Sequence, residues 1–240
     1  MTIKIAIAQV GSILFDTKAT LAVLENYVAQ AAANGVQMVL FPEAFIGGYP
    51  KGLDFGATLG IRTPKGREIF QEYFDGAVSV PDETTRYIAT LASTHKITII
   101  TGVIERDGGT LYCSVLGFDE KGATIIHHRK IMPTAVERVI WGCGDGSSLK
   151  VVDSPLGKIG TLICWENYMP LARMALYQQN VQLYCIPTVD DREAWIPTLR
   201  HIAREGRCFV ISACQYLTPE AYKNIPDTTR YLSDTPIRGG

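Results

Sequence analysis

The sequence predicts an α/β domain built on mixed sheets. Three observations predict it: a strand–helix–strand opening, consecutive hairpin signals in the middle, and a return to alternating strands and helices. Ile3, Ile5 and Ile7 alternate with Lys4, Ala6 and Ala8, the period of a strand. From Lys18 to Asn34 the period lengthens. Leu21, Leu24, Val28, Ala31 and Ala32 fall on one helical face, and Gly35 ends it. Gln37 to Phe41 is a short apolar run, read as a buried strand that stops at Pro42-Glu43.

A helical pattern around Glu68 to Tyr73 comes next, then another after Pro81-Asp82-Glu83, with Ile88, Leu91 and Ala92 as its apolar face. Ile97 to Val103, rich in isoleucine and threonine, reads as a buried strand. Asp107-Gly108-Gly109 turns the chain into a strand from Thr110 to Phe118. Glu120-Lys121-Gly122 turns it again, into Ala123 to His128. Successive hairpins make a purely parallel sheet untenable. Lys130 to Ser148 is a long glycine-bearing loop, the kind that usually carries function. Strands follow at Leu149 to Val152 and Lys158 to Ile163. Pro170 opens a helix through Tyr177. Val181 to Ile186 is a strand, Trp195, Leu199, Ile202 and Ala203 mark a helix ending at Gly206, and Cys208 to Ala213 is the last clear strand. No repeat, charge block or low-complexity linker divides the chain, so residues 1–240 read as one domain.

The composition is that of an ordinary globular protein: 47% hydrophobic, 20% charged, formal net charge -1. The absence of a basic excess points away from nucleic acid and anionic membranes and suits a small uncharged substrate. No apolar run reaches the roughly 18–20 residues of a membrane span, and the first residues lack the pattern of a signal peptide. The expectation is a soluble, cytoplasmic protein. The six cysteines include no Cys-x-x-Cys pair, so the common zinc spacings are absent and no metal is expected. In a chain of this size without an export signal, disulfides are not expected either.

Cys164 draws attention because it ends a predicted strand and is followed by Trp165-Glu166-Asn167. Strand ends are where ligand sites form in α/β folds. A thiol, with an ordinary pKa of about 8.5, needs a base and a nearby positive charge to act as a nucleophile near neutrality. The four histidines offer no papain-like context. Glu43, at another strand end beside Phe41, Phe45 and Tyr49, is a better base: an apolar wall raises a carboxyl pKa toward neutrality. Lys130 ends a third strand, and its ammonium can stabilise an anionic tetrahedral intermediate. Cys143, in the segment Gly142-Cys-Gly-Asp-Gly-Ser, has no base nearby. That segment also lacks the lysine and the strand-to-helix setting of a phosphate loop.

At these residues the sequence resembles the nitrilase superfamily. The matching stretches are Gly35-Val-Gln-Met-Val-Leu-Phe-Pro-Glu43-Ala-Phe-Ile-Gly-Gly-Tyr49-Pro50, His128-Arg-Lys130-Ile-Met-Pro-Thr-Ala-Val-Glu137-Arg138, and Gly160-Thr-Leu-Ile-Cys164-Trp165-Glu166-Asn167. Gly48-Tyr49-Pro50, Val139-Ile-Trp141-Gly and His201-Ile-Ala-Arg-Glu205-Gly look like the true nitrilase branch; Thr161 departs slightly from its pattern. The resemblance implies an α-β-β-α sandwich of two mixed sheets flanked by helices, a homodimer extending to higher oligomers or filaments, and no cofactor. It also implies that family members continue past Gly240, with Thr235 to Gly240 approaching a further strand pair, so C-terminal strands are expected to be missing here. The implied activity is hydrolysis of a nitrile to acid and ammonia through a cysteine thioimidate and thioester. Glu43, Lys130, Glu137 and Cys164 would be the catalytic set, with Glu137 orienting Lys130. Tyr49, Trp141, Trp165, Thr188 and Trp195 are expected to line the pocket. An amidase or carbamoylase of the same superfamily, or a silent scaffold on this fold, are the alternatives.

Overall fold

The computed structural model describes residues 2–218, residue 221 and residues 237–238. In chain order the elements are β1 (Ile5–Ile7), α1 (Thr17–Ala33), β2 (Met38–Leu40), the short hairpin β3 (Ala57–Thr58) and β4 (Ile61–Arg62), α2 (Pro64–Asp75), α3 (Glu83–His95), β5 (Thr98–Asp107), β6 (Thr110–Phe118), β7 (Thr124–Arg129), β8 (Val152–Ser154), β9 (Gly157–Thr161), α4 (Pro170–Tyr177), β10 (Leu183–Thr188), α5 (Trp195–Gly206), β11 (Phe209–Cys214), β12 (Tyr216–Leu217) and β13 (Ile237–Arg238). Two mixed sheets carry the fold. One runs β1-β2-β5-β6-β7 and the other β11-β10-β9-β8. In each, three strands are parallel, and the hairpin strands are antiparallel.

The alternation of side chains along each strand builds the layers. Met38 and Leu40 of β2 face the cluster between the sheets, with Leu183, Cys185, Ile159 and Ile211 from the opposite sheet. Val39, between them, faces outward onto α1 and α3, beside Leu24, Val28, Ile88 and Leu91. In the second sheet Tyr184 and Ile186 face outward onto α4 and α5, against Ala172, Leu176 and Ile202. The layering is therefore helix, sheet, sheet, helix, as the resemblance implied.

Local chemistry sets the helix starts. Asp16 caps α1 by accepting from the Ala19 N–H at 2.8 Å. Asp82 and Thr85 form a reciprocal capping box on α3, both bonds 2.8 Å long. Pro64 opens α2 and Pro170 opens α4, where a missing N–H costs nothing. None of the described helices is long and apolar enough to cross a membrane.

Among the strands that depart from the sequence expectation, two do so for a visible local reason. β8 begins at Val152 rather than Leu149, because the Gln179 side chain takes the backbone groups a ladder would have used. It accepts from the Val151 N–H at 3.0 Å and donates to the Leu149 carbonyl at 2.9 Å. β9 stops at Thr161, because the Ile163 N–H is diverted to Glu166 Oε2 at 2.6 Å. Near the end of the sequence, Ile237 and Arg238 pair antiparallel with Leu217 and Tyr216. The other residues from Thr235 to Gly240 lie outside the described residues.

Candidate active site

Glu43 follows the last ladder bonds of β2. The Gly102 N–H donates to the Pro42 carbonyl at 3.1 Å, bringing β5 against the turn. A Cβ on Gly102 would sit 2.7 Å from Glu43 Cα, so only glycine allows this approach. From below, Gln215 Nε2 donates to the Glu43 carbonyl at 2.7 Å. The Glu43 side chain is 0% exposed.

Lys130 follows β7, anchored by its N–H to the Cys113 carbonyl at 2.8 Å. Its ammonium donates to Glu43 Oε1 at 2.6 Å and to Glu137 Oε2 at 2.9 Å. Glu137 sits on a 3-10 turn, Ala135–Val139. Its Oε2 also accepts the Thr134 N–H at 2.6 Å, and its Oε1 accepts the Tyr49 hydroxyl at 2.8 Å. One cation thus faces two carboxylates, which leaves one negative charge over. Burial raises the Glu43 pKa, the Lys130 charge opposes this, and Glu137 adds to it. Burial works against the Lys130 charge, but Glu43 and the other acidic groups around it hold its pKa well above the ordinary value. Lys130 is therefore a fixed cation, and Glu43 is the carboxylate with raised proton affinity.

Cys164 stands at the turn after β9, with φ at 47°, a left-handed conformation that aims a non-glycine side chain away from the strand line. The thiol lies near enough to influence the Glu43 carboxyl, and the Thr188 side chain and Val189 backbone approach it. Glu43 Oε2 is buried without a hydrogen-bond partner among the described residues, so one oxygen of the base is left open to accept a proton. Burial pushes the Cys164 thiol up, and the Glu43 charge pushes it further. Burial and the neighbouring carboxylate thus favour the neutral thiol form of the sulfur. Trp165 N–H lies in the first turn of the following 3-10 segment, where backbone donors lack partners inside the helix.

The expected pocket residues divide. Thr188 ends β10 next to Cys164, and Tyr49 reaches Glu137. Trp141 is buried, edge-on to Tyr49 at 5.8 Å between ring centres and 5.9 Å from the Lys130 ammonium, so it walls the charge cluster from behind. Trp165 is partly exposed and leans on Tyr168. Trp195 does not belong to this crevice. It packs with Ile186 and Ile202 between the second sheet and its helices, its indole N–H donating to Ser212 Oγ at 3.2 Å. The apolar face that made it conspicuous is the face that buries it on the far side of the sheet. A groove of about 300 Å³ opens beside the cluster between residues 49–54 and the 3-10 turn, lined by Tyr49, Leu53, Val136 and Val139.

Sequence reasoning missed Glu166 and His128. Glu166 is fully buried and accepts the Ile163 N–H and the Ile131 N–H, both at 2.6 Å, and meets His128 Nε2 at 3.0 Å. One carboxylate thereby ties the residue before Cys164 to the residue after Lys130. The adjacency of Glu166 to Cys164 was the only signal in the sequence. Glu166→Gln replaces one accepting oxygen with a donor that faces another donor. It is expected to lower kcat roughly 10²-fold, as misplacement of about 1 Å does, with little change in KM. Steady-state kinetics on the variant check this; an unchanged kcat would mean that the tie does not position the two groups.

The chain matches the sequence model described as carbon–nitrogen hydrolase over residues 4–231. It is 50% identical over 226 residues to a tobacco (Nicotiana tabacum) protein named bifunctional nitrilase/nitrile hydratase NIT4A; the match covers 94% of this chain and 65% of that one. It is 49% identical to an aliphatic nitrilase of Sinorhizobium fredii, covering 99% of this chain and 77% of the relative. Among solved structures, Nit3 of Saccharomyces cerevisiae, a member of branch 10 of the nitrilase superfamily, matches with a TM-score of 0.72 at 19% identity, over 90% of this chain and 76% of that one. An amidase from Nesterenkonia sp. AN1, with acrylamide added at its active-site cysteine, matches with a TM-score of 0.71 at 17% identity, over 90% and 80%. At those identities the two structures speak for the fold. The chain spans 65% of the length of the tobacco relative.

Proposed function

The chain belongs to the carbon–nitrogen hydrolase family, and from that premise we propose that it hydrolyses an organic nitrile to the carboxylic acid and ammonia, with Cys164 as nucleophile. The observation that carries the reading is the buried Glu43–Lys130 pair at 2.6 Å, with one Glu43 oxygen left unpartnered and the Cys164 thiol near enough to influence the carboxyl. The names of the relatives at about half identity favour a nitrile over an amide as substrate.

Glu43 takes the thiol proton as sulfur adds to the nitrile carbon, and the nitrogen takes up that proton to give a thioimidate. Water then adds, giving its proton to Glu43. Lys130 and the Trp165 N–H stabilise the negative charge of the tetrahedral species. The nitrogen collects protons and leaves as ammonia, and a thioester remains. A second water, activated again by Glu43, releases the acid and returns the thiol. If sulfur leaves the first tetrahedral species before nitrogen does, an amide is released instead. Glu137 holds Lys130 against Glu43 throughout, and Tyr49 holds Glu137.

Parallel assays of ammonia release from a nitrile panel and from the matching amides test the substrate. The expected result is the larger kcat/KM on a nitrile; a larger value on the amide would overturn the assignment. The exposed apolar side chains Leu171 and Met174 on α4 and Ile196 on α5 support a homodimer through that face, extending to larger assemblies. Cys113, Cys143, Cys164, Cys185 and Cys208 form no disulfide among the described residues, which supports a reducing, cytoplasmic setting.

A further inference from the structure

Cys113 lies on the inward face of β6 between Leu111 and Val115, at 0% exposure. Packing alone would be served there by an aliphatic residue like its two neighbours. Its thiol is 3.6 Å from Glu43 Oε1, the oxygen that also accepts from Lys130 at 2.6 Å. Its backbone carbonyl accepts the Lys130 N–H at 2.8 Å. A single residue therefore meets the base through its side chain and the lysine through its backbone.

We propose that Cys113 is a positioning residue whose S–H donates to Glu43 Oε1, keeping that oxygen engaged and leaving Oε2 to receive the Cys164 proton. The proposal rests on the assignment of Glu43 as base and Cys164 as nucleophile. Cys113 is not a second nucleophile. It is sealed from the crevice, and burial together with the Glu43 charge keeps its thiol protonated. Cys164 is slightly open and has Thr188 and Val189 to favour its anion.

The titratable groups around Glu43 are Lys130 from the end of β7, Glu137 from the 3-10 turn, Tyr49 from the loop after β2, Tyr73 from α2, Cys164 after β9 and Cys113 from β6. A hydrogen bond to the ionised carboxylate favours that form. Removing it makes Glu43 hold its proton more tightly; a stronger donor has the reverse effect. Cys113→Ala and Cys113→Ser should therefore move the acid limb of reactivity in opposite directions, a result that simple space-filling does not give.

The test is the pH dependence of Cys164 alkylation by iodoacetamide in the full chain, followed by mass spectrometry of the Cys164 peptide. This readout needs no nitrile turnover. The expected result is an acid limb raised by about half a pH unit in Cys113→Ala and lowered by a similar amount in Cys113→Ser, the scale of one weak hydrogen bond. Limbs that coincide with wild type, or that move the same way in both variants, overturn the proposal. If the alanine variant does not fold, the serine variant, changed by one atom, decides alone by whether its limb falls. A wild-type chain that is alkylated normally but hydrolyses no nitrile would sink the substrate reading and leave this one intact.

Discussion

Replacing Cys164 with alanine is expected to reduce ammonia release by on the order of 10⁴-fold or more, the scale seen when a covalent nucleophile is removed. The geometry gives no substitute. The other thiol that meets the base, Cys113, is fully buried and bonded to Glu43. Glu43 and Lys130 are held to each other and can orient water, but without sulfur no thioimidate forms. The change removes one small atom from the rim of a crevice, so the fold should survive with a melting temperature close to wild type. Intact-mass measurement during turnover of a slow nitrile gives the second readout: an adduct on wild type and none on the variant. Residual activity above about 1% of wild type would require a different nucleophile.

Lys130→Met is expected to lose both activity and stability. The side chain is fully buried and stands between two carboxylates at 2.6 and 2.9 Å. Removing one partner of a buried ion pair typically costs about 3–5 kcal/mol, because the remaining charge is left uncompensated. The loss should depend on pH, and the direction follows from Glu43. Its folded pKa is already raised, and loss of the lysine charge, which opposes that rise, raises it further. A carboxyl with a raised folded pKa contributes stability below its unfolded pKa and loses it as pH rises through the folded value. The melting temperature of Lys130→Met relative to wild type should therefore fall between about pH 5 and pH 8. Adding Glu43→Gln removes the stranded charge and should recover much of the stability without restoring turnover. Equal melting of wild type and Lys130→Met at both pH values would show that the pair is not the buried network described.

Much of this was legible from local pattern. The alternation of Ile5 and Ile7, the helical face of Leu24 and Val28, and the proline before α4 each encode an element through forces acting over a few residues. The ordered stretches around Glu43, Lys130 and Cys164 made the chemistry visible, since each polar group stands just beyond an apolar strand. What only the tertiary structure decided is how those ends meet. Cys113 reaches Glu43 across 70 positions, Glu166 reaches the Ile131 N–H across 35, and Gln215 reaches the Glu43 carbonyl across 172. No local period encodes such distances, because they depend on strand register and on how one sheet stacks on the other. Trp195 makes the same point from the other side. Its period marked it as apolar-facing, but only the packing of α5 against the outer face of the second sheet settled which face that was.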